Sequence, residues 1–396
     1  MNMKIFKKVL FTVSGIILLM ISSSYNQKEI VTEAIEYIAE QYPIEIDVQK
    51  KYKKRILKLQ EIAEVTYIPL ETTKDVLLSN VLNGLNISDN LIVTMNQSGT
   101  IFCFNHNGHH ISQFNHRGRG PKEYQDALKL AVDFDENTIY IYDYQLLYRI
   151  QIYSLSGDFK KSISIPNGLW INDIQNYDKD YLLVYMTPSL WENNKGTFRP
   201  YYLMSKKDGS LKQISLDVPE LKDDNIRRRS PDGRARMIGY QTSPIIHNGT
   251  EFFLSDFSKD VIYRLNGTNL TPYIHIKPSV QKSIPPLYVS ISLETTKYTF
   301  ISIIEKDEKA MEVKQHFIAI DHRTGEIFEP DFGNDIFSKA PNNYLRNLPK
   351  DYSVITLSAE NIVDAYKRGE LDGALQKTAS KLKMDDNPVL MLLKFQ

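Results

Sequence analysis

Arg117, Arg119, Glu123 and Tyr124 stand together in one short stretch, with Gly118, Gly120 and Pro121 fixing the backbone between them. Two guanidinium forks beside a carboxylate and an aromatic ring have the chemistry to hold a sugar, a peptide terminus or another acidic group. The same residues also suit a structural task, a tight crossing between two β units in which Glu123 and Tyr124 supply the hydrogen bonds. A phosphate-binding loop is excluded, because no Lys-Ser or Lys-Thr pair follows the glycines and no strand leads into a helix there.

Further along, Trp170 and Trp191 accompany Tyr185 and the polar run Asn193-Asn194-Lys195-Gly196. Aromatic faces beside amides suit carbohydrate stacking, and they suit blade packing equally well. The candidate binding residues are therefore Arg117, Arg119, Glu123, Tyr124, Trp170 and Trp191. His106, His109, His110 and His116 crowd one region, but no carboxylate or cysteine completes a ligand set, so neither a metal nor a cofactor is expected. No G-x-S-x-G element occurs, and no catalytic residue is assigned. Asp143 with Arg149, and Asp256 with Arg264, read as acid–cation pairs or as repeated inter-strand salt bridges. Arg227, Arg228, Arg229, Arg234 and Arg236 form a local basic run, either solvated surface or a contact for an acidic glycan or protein.

The bulk of the chain tells what kind of scaffold carries these groups. Its 396 residues hold 48 basic and 48 acidic side chains, so the cationic excess that neutralises phosphates is missing and nucleic acid is not an expected partner. Apolar residues make up 42%, enough for a large core. The 24 tyrosines favour half-buried pleated surfaces. A single cysteine, Cys103, permits neither an intrachain disulfide nor a cysteine-based metal site.

Lys4, Lys7 and Lys8 precede an apolar run at 9–21 and then Ser22, Ser23 and Ser24. This is the layout of a secretory signal peptide over 1–24, with an uncleaved anchor as the alternative; the run is shorter than the roughly 20 residues that span a bilayer. Ser24 stands where a lipoprotein would carry its cysteine, so a lipid anchor is not expected. Residues 25–61 read as a helical and basic extension. Ile30, Ala34, Ile35 and Ile38 mark a short amphipathic helix stopped by Pro43. Lys50, Lys51, Lys53, Lys54 and Arg55 then read as the solvated face of a second helix ending near Leu59, or as a contact for a membrane surface or partner.

The strongest signal is internal repetition. Five times an apolar strand runs into a polar turn that ends on glycine, at Gly108, Gly157, Gly209, Gly267 and Gly325, at spacings of about 50 to 58 residues. Each turn needs a residue with positive φ. An earlier strand pair precedes each hairpin, as in 128–134 with 138–143 and 243–246 with 251–254, which makes four antiparallel strands per unit. Five units leave a sixth to be assembled from 352–357, 389–395 and the early strand 65–70, joining the two ends of the chain and removing open sheet edges. Between these, 358–383 reads as helix, with Ser358 as N-cap and Ile362, Val363, Tyr366, Leu371, Leu375 and Leu382 as its stripe. The predicted fold is an all-β six-bladed β-propeller over 62–396, closed by its terminal strands, with a helical insertion in the last blade.

Val65-Thr66-Tyr67-Ile68-Pro69-Leu70-Glu71-Thr72-Thr73, Gly118-Arg119-Gly120-Pro121-Lys122-Glu123-Tyr124 and Asp386-Asn387-Pro388-Val389-Leu390 resemble the opening, the GxGPxEY signature and the final strand of a family of six-bladed β-propellers common in Bacteroides-type gut bacteria. The resemblance covers about 62–396. It implies an exported propeller distantly similar to NHL-repeat propellers, many members of which look like lipoproteins, and it implies no general activity. This chain departs from it in lacking the lipoprotein cysteine and in carrying the segment before Ile62. The expected role is an exported module of the periplasm or cell surface, monomeric, that binds or scaffolds a glycan, peptide or partner protein. The competing expectation is a lyase or hydrolase with its site in the central channel, since propellers host both.

Overall fold

Thr138–Asp143 is buried at all 6 positions, whereas Phe159–Ser164, two strands further out, alternates exposed with partly or fully buried side chains. A strand covered on both faces is apolar along its centre, here Ile139 to Tyr142, while an edge strand needs only one such face. Repeated along the chain, this contrast builds a six-bladed β-propeller of four-stranded antiparallel sheets. The computed structural model describes residues 43–79, 83–143, 149–188, 195–220, 225–229, 235–239, 243–249, 251–307, 312–332, 346–348 and 351–395.

Blade one consists of Asn83–Ile87, Leu91–Met95, Ile101–Asn105 and His110–Phe114, and blade two of Ala127–Asp133, Thr138–Asp143, Arg149–Ser154 and Phe159–Ser164. Leu169–Asn176, Tyr181–Pro188, Tyr201–Ser205 and Leu211–Gln213 form blade three. Ile245–His247, Phe252–Leu254, Val261–Asn266 and Asn269–Lys277 form blade four. Blade five is Leu287–Glu294, Tyr298–Asp307, Glu312–Asp321 and Ile327–Asp331. Blade six takes Arg346–Leu348, Tyr352–Leu357 and Val389–Phe395 from the end of the chain and Ala63–Pro69 from its beginning. Ala63 lies opposite Phe395 and Pro69 opposite Val389, so the expected closure of the ring by its two terminal strands is observed.

The five turn glycines all have positive φ. At Gly157 (φ +93°) a second constraint acts: a Cβ there would lie 2.7 Å from the Phe114 ring of the preceding blade, so the turn also seats blade two on blade one. Gly267 (φ +59°) has nothing within 4 Å of its Cβ position, and only its backbone angle asks for glycine.

One expectation is corrected and another refined. Lys50–Arg55 is not the face of a helix. Ile44–Asp47 joins the outer edge of blade four, and Lys54–Ile56 pairs in parallel with Ile327–Asp331 on the outer edge of blade five. The segment thus works as a strap that covers two sheet edges, and only a single turn of helix follows, α1 at Leu59–Ile62. Edge coverage outweighs helical periodicity here, because Ile46, Val48, Leu57 and Leu59 become buried against the blades. The helical insertion expected in the last blade is present, but as two short helices rather than one, α2 at Ala359–Lys367 and α3 at Gly373–Ala379, separated where Gly369 adopts φ +68°. Tyr366 is then off the apolar stripe and exposed. Outside the blades, Lys195–Phe198 pairs with Val218–Glu220, and Asn225–Arg229 pairs with Ala235–Gly239. Arg227, Arg228, Arg229 and Arg236 fall on this second ribbon, and Arg234 lies outside the described residues.

The glycine geometry predicts unequal costs for one substitution. Gly267→Ala should cost about 1 kcal/mol, the strain of a left-handed alanine, and Gly157→Ala about 3 kcal/mol, because overpacking against Phe114 adds to that strain. Urea midpoints of the two variants check this, and equal shifts would refute the seating role of Gly157.

Candidate functional site

The 115–126 crossing carries the chain from the outer strand of blade one to the inner strand of blade two. Its glycines are explained by Glu123, whose Oε2 accepts the Gly120 N–H at 2.8 Å and would lie 1.9 Å from a Cβ on Gly118. Tyr124 is fully buried; its hydroxyl donates to the Gly99 carbonyl at 2.7 Å and accepts the His116 N–H at 3.2 Å. Burial pushes the Tyr124 phenol up to about 12. On the third strand of blade two, Arg149, Gln151 and Tyr153 alternate onto one face and reach up to the loop. Arg149 Nη2 donates to the carbonyls of Glu123 (2.8 Å) and Gly120 (3.2 Å). Gln151 Nε2 donates to those of Glu123 (2.7 Å) and Pro121 (3.2 Å), and the Tyr153 hydroxyl to that of Lys122 (2.6 Å). Every carbonyl from Gly120 to Glu123 is thereby held from below. Asp143 completes the clamp by accepting the Gln125 N–H at 2.9 Å.

The six candidate residues therefore separate. Glu123 and Tyr124 serve the loop itself, and Tyr124 has no surface left for a ligand. Arg117 and Arg119 are exposed on the clamped backbone, with Arg117 Nε donating to the Gln125 carbonyl at 3.0 Å. Trp170 lies on the inner strand of blade three opposite Thr187, away from the loop in sequence and on another blade. Trp191 lies outside the described residues. The expected acid–cation pairs re-partner: Arg149 is drawn to the loop carbonyls, Arg264 pairs with Glu251 at 3.0 Å, and Asp256 accepts the Tyr185 hydroxyl at 2.8 Å. The four histidines disperse, His106 to the Ser88 carbonyl, His109 towards Glu71, His110 edge-on to Phe104, and His116 between the Gly157 carbonyl and the Tyr153 ring.

Polar groups that sequence reading missed sit between blades. Lys206 of blade three donates to Asp133 of blade two at 2.5 Å, with both side chains under a tenth exposed. Asp173 of blade three accepts the Ser243 hydroxyl and the Ile245 N–H of blade four. Between blades four and five the Tyr273 hydroxyl donates to Glu294 at 2.9 Å, and Thr299 Oγ1 lies 2.9 Å from that hydroxyl and 2.7 Å from His322 Nε2. His322 Nδ1 donates to the Thr296 carbonyl at 3.0 Å, so the neutral ring keeps Nε2 as an acceptor for Thr299. Arg264 packs over the Tyr273 ring at 4.9 Å. This chain of groups can hold a proton on a buried carboxyl and connect it to a histidine whose side chain is 26% exposed.

The family model described as a domain of unknown function (DUF4934) matches residues 43–394. The chain belongs to this family. The match begins where the strap begins, so the family unit includes the two added edge strands as well as the ring. A protein from Bacteroides fragilis described as exported is similar in structure, with TM-score 0.64 and 18% identity over 90% of this chain and 100% of that one. A protein of unknown function from Bacteroides thetaiotaomicron (TM-score 0.41, 10% identity, 84% of this chain and 76% of that one) and BamB from Moraxella catarrhalis (TM-score 0.37, 9% identity, 84% and 100%) are looser matches. At these identities the likeness is one of fold alone. No curated protein sequence matches the chain. Among the described residues no helix is long and apolar enough to cross a membrane.

The blade four–five cluster gives a pH test. Burial raises the Glu294 carboxyl from 4.5 to about 8, against the lowering effect of its Thr299 and Tyr273 hydrogen bonds. The folded state therefore keeps a proton that the unfolded chain releases above about pH 4.5. Glu294 thus makes the protein progressively less stable as pH rises through that window towards 8. Glu294→Gln should remove this part of the slope, so that the variant gains in melting temperature relative to the parent between pH 5 and 8, by about 5 °C at the upper end. A difference that does not change with pH would show that Glu294 is ionised throughout.

Proposed function

We propose that the protein is an exported envelope module that binds or scaffolds a carboxylate-bearing peptide, glycan or partner protein on the propeller face carrying the 115–126 crossing. One observation carries this reading: the backbone that follows Arg117 and Arg119 is clamped at the consecutive carbonyls of Gly120 to Glu123 by Arg149, Gln151 and Tyr153, while both arginine side chains remain exposed. Guanidinium groups on a fixed backbone lose less entropy on binding than the same groups on a mobile loop, and they match a carboxylate in two-point geometry. Export is supported by the leader pattern before residue 25 and by the fold shared with the exported Bacteroides fragilis protein.

Peptide and glycan arrays probed with the protein should return ligands bearing carboxylates. Arg117→Ala with Arg119→Ala should weaken the best of them by about tenfold or more per guanidinium and leave the melting temperature nearly unchanged. Ligands bound equally well by the double variant would overturn this reading, and turnover of a substrate in a lyase and hydrolase panel without array binding would favour an enzyme.

A further inference from the structure

We propose that the outer rim formed by the strap is a contact surface for an anionic phospholipid bilayer. The strap is held at both ends, by the Val48 N–H on the Lys277 carbonyl (2.8 Å) and the Leu57 N–H on the Asp331 carbonyl (2.8 Å). Arg55 points inward, to Asp321 at 3.0 Å and over the Phe328 ring at 4.7 Å. Its neighbours on the strand point the other way, and Ile56 is left 68% exposed.

Most cations around the strap are already neutralised: Lys54 by Glu329 (3.6 Å), Lys58 by Glu61 (3.5 Å) and Lys277 by Glu45 (2.5 Å). Lys50, Lys51 and Lys53 are exposed and, among the described residues, carry no ion pair. Asp47, earlier on the same segment, accepts the Gln49 N–H at 3.0 Å and forms no ion pair with them among the described residues. Lys50 lies over the Tyr52 ring at 5.1 Å, and the Tyr52 hydroxyl accepts the Asp47 N–H, so the turn is braced rather than loose. In a chain with no net charge, this is a local concentration of ammonium groups without an acid partner among the described residues, three to six residues before the exposed Ile56.

The choice of a lipid surface over an acidic protein rests on the residue types. Lysine is a compact charge on a flexible stem, suited to a diffuse field of headgroups, whereas a defined carboxylate is better met by the planar fork of arginine. Each lysine near an anionic bilayer contributes enough to change affinity about fivefold, and Ile56 is placed to enter the headgroup boundary. The rim is separate from Arg117 and Arg119, so neither proposal depends on the other.

The test is flotation of the full chain with phosphatidylcholine vesicles, with and without phosphatidylglycerol. The parent protein should prefer the phosphatidylglycerol vesicles, and added salt should weaken that preference. Lys50→Gln, Lys51→Gln and Lys53→Gln together should reduce the binding about a hundredfold, and Ile56→Ser alone about tenfold, with melting temperatures unchanged because these side chains are exposed. The parent and the triple variant share the same N-terminal segment, so any affinity of residues 1–42 cancels between them. Equal binding by parent and triple variant, or equal binding to both kinds of vesicle, would overturn the proposal. So would capture of the parent by soluble polyglutamate with no uptake on phosphatidylglycerol vesicles, which would assign the lysines to an acidic polypeptide.

Discussion

Everything in this molecule depends on Val389–Phe395 lying between Tyr352–Leu357 and Ala63–Pro69 in one sheet. Bringing two ends of so long a chain together costs about 5 kcal/mol of loop-closure entropy. Leu390, Met391, Leu392 and Leu393 are all at most 2% exposed, and burying four such side chains contributes about 6–12 kcal/mol. Burial of the closing strand is thus large enough to offset loop closure, and its side chains lie on both faces, one set towards blade five and one towards blade one. A ring closed in this way has no blade that ends in solvent at a seam, so each blade is stabilised by two neighbours.

The seams combine two kinds of contact. Apolar clusters such as that of blades one and two, with Tyr124, Tyr153 and Phe114, contribute most of the burial. Apolar surfaces tolerate small rotations. The buried polar ties do not, because Lys206 with Asp133 or Tyr273 with Glu294 is satisfied at one relative placement of two blades. Removing one member of a buried ion pair costs about 3–5 kcal/mol, so these ties penalise any displaced arrangement heavily even where they add little net stability. Asn387 plays the same part next to the closing strand, donating to the Glu71 and Val76 carbonyls and accepting the Leu78 N–H.

The same logic sets what the surface can offer. The 115–126 crossing is stiff because blade two satisfies its carbonyls from beneath, and that stiffness leaves Arg117 and Arg119 as presented groups on a fixed base. The strap buries what covers the edges of blades four and five and leaves Lys50, Lys51, Lys53 and Ile56 exposed. In both places the side chains proposed to bind are ones the fold leaves exposed.

Much of the fold was legible in the sequence because its physical causes are local. A turn with positive φ asks for glycine, so Gly108, Gly157, Gly209, Gly267 and Gly325 marked five of the six blades, the sixth following from the need to join the chain ends, and runs such as Ile139-Tyr140-Ile141-Tyr142 marked strands. The strap differs from its sequence expectation because four lysines and an arginine in a short run are equally compatible with an edge strand, and only the presence of uncovered edges on blades four and five decides between them. The site was legible as a stretch but not as a set of roles: the glycines, Glu123 and Tyr124 were visible together, yet which of them face solvent depends on Arg149, Gln151 and Tyr153 of another strand. The partnerships of Lys206, Asp173 and Glu294 left no sequence signal, since each is separated by many residues from a partner chosen by ring closure. Residue types and their local periodicity thus determined the blade count and the terminal closure, whereas the tertiary structure alone decided which polar side chains are spent inside and which remain for a ligand, because burial is a property of the assembled ring.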